Sequence, residues 1–448
     1  MKAYTWIIIG AGPTGLGAAH RLCELGIHDF IVLERNPYVG GLSASFKDKQ
    51  GFTWDIGGHV VFSRYKYFNN LLDDLLGQDK LEHQRIARVR MAQQWIPYPF
   101  QNNIRHLPKN MVWECVQGLL QERSAELHTF HDWITYVFGP GIAKFFMLPY
   151  NFKVWATPPE LMHYSWIGER VSVVSLESVL KNLILEQDEV TWGPNNSFRF
   201  PLYGGTGDIF NRLAARVQDH IQLEQEVVHI APQEKVLTLA SGLKIQWKNI
   251  LNTAPLDILT KAWICPENTA LHKAASLLEH NSVYVSGIGV DGLRHDPTCW
   301  MYFPEDNCPF YRVTNFHNYS PNNVAHPGQQ MGFMSEVSSS NYKTENIPTM
   351  QDKIMAGLQA TTLMHTNDNV VSTWDMQVDY GYPVPTLGRD QALSLLQPWL
   401  EKQGIFSRGR FGGWKYEVAN MDHSVMQGVE WAERMVLDKA ETIYSISL

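Results

Sequence analysis

Cysteine is scarce in this chain of 448 residues: there are five, an odd number, and no two stand in C-x-x-C spacing. A disulfide framework and a cysteine-rich zinc module are thereby excluded, and the expectation is a reducing, cytoplasmic setting without a metal site. A dominant charge is lacking too. The formal net charge is −8, charged residues make up 18%, and no basic run occurs, which argues against a nucleic-acid surface. No apolar run reaches the ~18 residues of a membrane-spanning helix, so no membrane partner is expected. The apolar residues after Met1 read as a strand entering a glycine turn, not as a targeting segment. Internal repeats and low-complexity tracts are absent. What is abundant is core-forming material: 44% hydrophobic residues and 15 tryptophans, enough for two or three domains.

The first sixty residues carry the clearest motif. An apolar β run, Trp6–Ile9, enters Gly10-Ala11-Gly12-Pro13-Thr14-Gly15. A helical pattern follows (Leu16, Ala19, Leu22, Leu25) and stops at Gly26. A second β run, Phe30–Leu33, ends at Glu34, nineteen residues after Gly15. A G-x-G-x-x-G in this strand–turn–helix–strand context predicts a dinucleotide site. Gly10 permits the tight turn, Gly12 lets the backbone approach a pyrophosphate, and Gly15 lets helix and strand pack closely. The helix N-terminus offers unpaired N–H groups to phosphate. Glu34 is placed to accept from a ribose. Two further pairs, Gly40-Gly41 and Gly57-Gly58 before His59, exceed what a nicotinamide site needs. They resemble the FAD fold of the amine-oxidase and sugar-mutase flavoproteins, in which bare backbone lies against the isoalloxazine.

Periodicity divides the chain into interleaved segments: 1–83, 203–275 and 380–448 for nucleotide binding, 84–103, 191–202 and 276–379 for a β-sheet domain, and 104–190 for a helical domain. Within the last, Lys109–Arg123, Thr129–Phe138 and Gly139–Tyr150 carry helix-spaced apolar residues. Period-two alternation marks strands at Ser197–Pro201, Val227–Ala231, Lys235–Leu239, Leu243–Trp247, Val283–Val290, Cys299–Phe303, Tyr311–Phe316 and Phe333–Val337. Gly204-Gly205-Thr206-Gly207 opens a helix over Asp208–Val217 and returns the chain to the nucleotide domain. A last helix spans Met421–Leu437, with Asp422 in its first turn where an acid suits the dipole. Asn318–Gln330 reads as a loop.

Long segments then resemble the UDP-galactopyranose mutases of the eukaryotic type. They include GGHVVFSRYKYF (57–68), WIPYPFQNNI (95–104), PYNFKVWA (149–156), GERV (168–171), WGPNNSFRFP (192–201), YFPEDNCPFYR (302–312), GYPVPTL (381–387) and GRFGGWKYEVANMDHS (409–424). The resemblance implies an α/β fold: a discontinuous Rossmann-like FAD-binding domain with a helical insertion domain and an antiparallel β-sheet domain. It implies interconversion of UDP-galactopyranose and UDP-galactofuranose on reduced FAD, whose N5 attacks the anomeric carbon to give a flavin iminium. NADPH is the implied candidate reductant, and a UDP-sugar the implied partner.

Residue roles follow from the same resemblance. The cofactor set is Gly10, Gly12, Thr14, Gly15, Glu34, Gly40, Gly41, Leu42, Gly57, Gly58, His59, Val228, Arg410, Asn420 and Met421. His59 lies beside the flavin N5, and Arg410 near flavin and sugar. Arg170 and Arg312 correspond to a diphosphate clamp, for which a guanidinium fork supplies paired donors. Tyr382 and Tyr416 also contact the diphosphate, with Asn195 close by and Asn420 at the sugar. Trp300 and Tyr302, two apart on a strand, share a face toward the nucleotide. Tyr98, Gln101, Asn151 and Trp155 correspond to uracil and ribose contacts. Arg64 departs from the histidine usual at its position. The chain ends soon after its last helix, so a monomer or dimer is expected rather than a tetramer. Other UDP-sugars, and oxidase chemistry of amine-oxidase type, stay open as alternatives.

Overall fold

The computed structural model describes every residue except 124–125, 191–192, 194–195, 266–267 and 446–448. Asn195, and with it one of the expected diphosphate contacts, lies outside the described residues.

The first strand, β1 (Lys2–Ile9), runs parallel between β2 (Phe30–Leu33) and the strand Lys244–Asn252. Ile221–Gln222 extends the sheet beside β2, and Ile405–Ser407 pairs with Lys244–Asn252, both in parallel. Val227–Ala231 and Val236–Leu239 add an antiparallel edge. Ile7, Ile8 and Ile9 are all buried, as a parallel strand covered on both faces requires. Helix α1 (Pro13–Glu24) packs against the long helix Met421–Leu437. Two glycines allow that approach: a Cβ on Gly428 would sit 2.0 Å from the Thr14 carbonyl oxygen, and one on Gly17 would sit 2.5 Å from that of Val425. The last helix therefore pins the glycine turn from behind, although it lies some four hundred residues away in sequence.

A second seven-stranded sheet is ordered Val370–Pro383, His280–Asp291, Gln330–Ser339, Arg312–Asn315, Trp300–Tyr302, Ala87–Met91, Gln94–Pro97. It is antiparallel apart from the parallel pairing of Trp300–Tyr302 with Ala87–Met91. Its edge strand Val370–Pro383 escaped the sequence reading. The helical unit comprises Lys109–Leu120, Phe130–Ile142, Leu148–Trp155 and Leu176–Ile184. Thr129 opens the second of these with a reciprocal capping box to Asp132. Gly139, at φ 68°, kinks that helix where the sequence pattern suggested a break.

Between the nucleotide segments, Thr206 of the Gly204–Gly207 turn donates through N–H and Oγ1 to the buried carboxylate of Asp55, which also accepts from Ser45 Oγ. The stretch 318–330, expected as a loop, holds a short helical turn at Pro321–Asn323, and its last residue already belongs to a strand.

Candidate active site

Beneath the glycine turn lies a cavity of about 530 Å³. Gly10, Gly12, Thr14, Glu34, Gly41, Leu42, His59, Arg410 and Met421 of the expected cofactor set line it. At the turn, Gly10 adopts φ 100° and its N–H donates to the Leu33 carbonyl at 2.8 Å. Gly12 is the N-cap of α1, with no side chain capping it and Pro13 behind it. The first amides of α1 are thus left for a ligand, and proline at the first helical position removes a donor that would be unpaired anyway. A Cβ on Gly12 would meet only Gly41 Cα, at 3.9 Å, among protein atoms. Glu34 Oε2 accepts from Ala11 N–H at 2.8 Å and Oε1 from Asn36 N–H at 2.9 Å. These bonds hold the carboxylate against the cavity and leave lone pairs for diol hydroxyls.

Six of the expected contacts do not line it: Gly57 borders a smaller recess, Gly58 N–H donates to Glu336, Asn420 Oδ1 accepts from Arg170, and Gly15, Gly40 and Val228 sit elsewhere. Gly15 is under the turn, where a Cβ would fall 1.9 Å from the Gly10 carbonyl oxygen. Its role is helix–strand packing. Gly40 N–H is spent on the Ala11 carbonyl at 2.8 Å. The side chain of Val228 is exposed, and the neighbouring Val227 lines the cavity. A register shift between Val227 and His229 breaks the alternation there, which sequence periodicity does not reveal. The wall missed from sequence is the edge strand Val370–Pro383, whose residues 376–380 border the cavity. Trp374, Met376, Val378, Tyr380 and Tyr382 alternate at period two, so the signal was present.

The cavity reaches His59 and Arg410, which also line a smaller recess with Gly57, Arg312, Glu336 and Tyr382. His59 Nδ1 is buried with no protein partner among the described residues, the kind of orphan that a bound group satisfies. Burial pushes the imidazole down to about 3, helped by the Arg410 and Arg312 guanidiniums and opposed by Glu336. The ring is therefore neutral at pH 7.

Glu336 went unnoticed in the sequence. It lies opposite Arg312 in the sheet and takes both arms of its fork, at 2.7 Å each. It also accepts from Tyr311 Oη at 2.7 Å and Gly58 N–H at 3.0 Å. An acid inside the apolar alternation of Gln330–Ser339 is the signal that marks it. Arg170 has no carboxylate partner among the described residues: Nη2 donates to the Glu417 carbonyl at 2.6 Å, Nη1 reaches Asn420 Oδ1 at 3.3 Å, and the guanidinium lies 4.8 Å over the Tyr416 ring. Tyr416 packs on Tyr382 (5.8 Å between centroids), and Arg410 stands over Tyr382 at 5.5 Å. Burial keeps the Tyr382 phenol above its ordinary range, with Arg312 pulling the other way.

Farther out, Trp300 Nε1 donates to Tyr302 Oη at 2.5 Å, and the two side chains share a face. Trp300 is otherwise packed among Phe198 and Tyr319. Tyr98 and Tyr150 flank Tyr302 at 5.0 and 5.3 Å. Trp155 is buried against Tyr416 at 4.8 Å. Gln101 donates to the Ser172 carbonyl, while its Oε1 is buried without a partner among the described residues. Asn151 donates to Met147 O at 2.7 Å. The structure thus gathers these residues into one aromatic wall, and spends the Asn151 amide within its own helix.

A glycine-turned Rossmann unit, an acid ending its second strand and a long cavity with an orphaned imidazole define a flavin-dinucleotide protein. The chain belongs to the flavin containing amine oxidoreductase family, which matches residues 13–331, and within it to the UDP-galactopyranose mutases, which are isomerases. It is similar to a crystal structure of reduced UDP-galactopyranose mutase, with 40% identity over 98% of this chain and 95% of that one, at a TM-score of 0.93. A putative protoporphyrinogen oxidase from Exiguobacterium sp. 255-15 shares the fold at TM-score 0.75 but only 15% identity, over 98% and 99% of the two chains. Among curated proteins, 15-cis-phytoene desaturase of Glycine max is 35% identical over 89 residues, 20% of this chain and 15% of that protein. The chain thus aligns with less than a quarter of such relatives' length, as with the Narcissus pseudonarcissus desaturase at 24%. Among the described residues, no helix is long and apolar enough to cross a membrane.

Proposed function

We propose that this chain interconverts UDP-galactopyranose and UDP-galactofuranose, with bound FAD in its reduced form. The observation that carries the proposal is that Arg312 and Tyr382 share a recess with His59, with Tyr416 against Tyr382 and Arg170 over Tyr416. Cations and neutral phenols in that number suit a diphosphate leaving group. Reduced FAD supplies a nucleophilic nitrogen for the anomeric carbon when bound.

The chain's own residues supply the rest. Arg170, with no carboxylate partner among the described residues, offers its positive charge to the diphosphate, steadied by Tyr416 beneath it. Arg312 contributes a fork whose orientation is set by Glu336. Its pair with that carboxylate reduces the net charge at the clamp, so UDP is held without being trapped. Burial holds the Tyr382 phenol above its ordinary range, and the two phenols donate one hydrogen bond each. Holding UDP after the glycosidic bond breaks keeps it available for reclosure on the other ring size. The neutral His59 offers one hydrogen bond beside the reacting centre without adding a cation. Tyr98, Tyr302, Gln101 and Trp155 form the pyrimidine end, where an aromatic face and the unpartnered Gln101 Oε1 suit uracil. NADPH is the proposed reductant and would enter through the same cleft.

Purified protein incubated anaerobically with UDP-galactofuranose, with the flavin reduced and again oxidised, tests the proposal. Turnover is expected only in the reduced state, with no net redox change. Absence of turnover in both states, with flavin bound, would sink it. Bleaching of the flavin by NADPH in stopped flow tests the reductant separately.

A further inference from the structure

We propose that Cys23, His28 and His220 form a binding site for a soft divalent cation, zinc foremost, remote from the cofactor cavity. One ligand atom from each of the three lies within 4.8 Å of the others. None of the three lines the cavity. The spacing of cysteines excluded a zinc module built from cysteine pairs. The expectation of no metal site rested on that spacing, which does not register ligands brought together by the sheet.

The fold explains the meeting. Cys23 is in the last turn of α1 and His28 in the connection to β2. His220 ends the turn Gln218–His220, immediately before Ile221–Gln222, which pairs with Val32 and Leu33 of β2. Sheet pairing therefore holds His220 next to the α1–β2 connection.

Orientation of His220 is the second argument. Its ring stacks on Phe30 at 4.0 Å, and its Nδ1 faces the Phe30 carbonyl oxygen at 3.3 Å. A carbonyl only accepts, so that nitrogen carries the proton. Nε2 then keeps its lone pair. A backbone carbonyl behind one ring nitrogen and a free lone pair on the other is how metal-ligating imidazoles are held. His28 lies parallel to His220, with centroids 5.8 Å apart, and is exposed, so its side chain is free to turn toward an ion.

A thiolate with two imidazoles is a donor set suited to zinc or copper, and not to magnesium or calcium. Three protein ligands leave a fourth tetrahedral position to water. Bonds of roughly 2.0–2.3 Å draw the donors closer than the 4.8 Å within which they stand, and the exposed His28 side chain can turn to help close that gap. A bound ion would tie the end of α1, the α1–β2 connection and the turn before Ile221 to one another.

The test is calorimetric titration of tag-free, FAD-loaded protein with zinc chloride. One equivalent is expected to bind, with affinity reduced at least tenfold in Cys23→Ser and in His28→Ala. A cobalt(II)–thiolate band in the difference spectrum should vanish in Cys23→Ser. The exposed His28→Ala keeps the test valid if the cysteine variant folds poorly. Absence of stoichiometric binding, or binding undiminished in both variants, would overturn the site.

Discussion

Arg312 and Glu336 face each other across two antiparallel strands, and the guanidinium engages the carboxylate through Nε and Nη2 at 2.7 Å each. Glu336 has only 2% of its side chain exposed, whereas Arg312 retains 21%. The carboxylate is thus the buried foundation, and the arginine the part that reaches the cleft. Tyr311 and the Gly58 amide fix the same carboxylate, so the clamp and the glycine pair before His59 share one anchor.

Substitution at this pair should separate charge from shape. Arg312→Lys keeps the cation and loses the fork. A charged hydrogen bond is worth ~1.5–3 kcal/mol, so kcat/KM is expected to fall by about 10- to 100-fold. Arg312→Ala leaves Glu336 buried and unpaired, for which roughly 3–5 kcal/mol of stability is lost in fully buried pairs and less here because Arg312 is partly wet. Arg312 holds the Glu336 carboxyl below its usual range against the push of burial. In the native protein that contribution is present above the unfolded carboxylate value of ~4.3 and is lost as pH falls through the lower folded value. Without Arg312, burial is opposed only by the hydrogen bonds from Gly58 and Tyr311, the pKa rises, and stability should fall with rising pH instead. Thermal melts of both variants from pH 4 to 8, with kcat/KM at neutral pH, check this.

Much of this architecture could be read from the chain because its strongest signals are local. The turn Gly10–Gly15 needs only its neighbours to be interpretable, and Glu34 only the length of one helix and strand. Helix Met421–Leu437 declared itself by periodicity and formed over the expected residues. What escaped depends on partners distant in sequence. Glu336 makes sense only opposite Arg312, since an acid in an apolar strand has no stated partner until the register is known. Val370–Pro383 was overlooked because polar residues alternate with its aromatics along an edge half open to solvent. That the Val227 side chain, and not that of Val228, faces the cavity depends on a bulge that breaks the alternation. Likewise, Cys23, His28 and His220 are scattered residues until β2 pairs with Ile221–Gln222.

The glycine turn yields a contrast between two neighbouring alanine variants. Gly12 has φ −80°, which alanine adopts, and its added methyl would project where protein contacts are no closer than 3.9 Å. Gly12→Ala should therefore fold with a melting temperature near that of the native apoprotein, yet bind FAD far less well, because the methyl occupies phosphate space. Gly15→Ala instead drives a methyl to 1.9 Å from the Gly10 carbonyl oxygen. Overpacking of this severity costs at least the ~1–3 kcal/mol of an ordinary core insertion. It should lower soluble yield and melting temperature together. The ratio of absorbance at the flavin band to that of protein, read beside circular-dichroism melts, distinguishes the two outcomes.

Asp55 gives the fold a pH-dependent joint. Burial raises its carboxyl to about 7, against the hydrogen bonds from Ser45 and Thr206 that favour the anion. A raised acid binds its proton more tightly when folded, so its contribution is greatest below the unfolded value of ~3.9 and declines as pH climbs to about 7. Asp55→Asn carries no proton to lose. The difference in melting temperature between native protein and this variant should therefore shrink, or reverse, between pH 5 and pH 8. A difference constant with pH would mean that Asp55 is ionised throughout.

His59 brings the same reasoning to the reaction. Its imidazole is held at about 3 by burial first, then by Arg410 and Arg312, with Glu336 opposing. Protonation would place a third cation among two arginines, with one carboxylate already shared. The ring should remain neutral across the working range, so the pH profile of kcat with reduced flavin should show no limb at the ~6.5 of an ordinary histidine. His59→Asn retains a short hydrogen-bonding side chain in place of the ring. Its expected result is a kcat lowered by about tenfold or more, because the shorter amide does not reach where the ring nitrogen stood and ~1.4 kcal/mol or more of transition-state hydrogen bonding is lost, with the same flat profile. A limb near pH 6.5 in native protein that disappears in His59→Asn would show instead that the ring titrates during turnover. A lowered histidine also makes the folded protein lose stability as pH falls from ~6.5 toward 3. Acid melts of the two proteins should therefore converge at low pH only if the ring is neutral when folded.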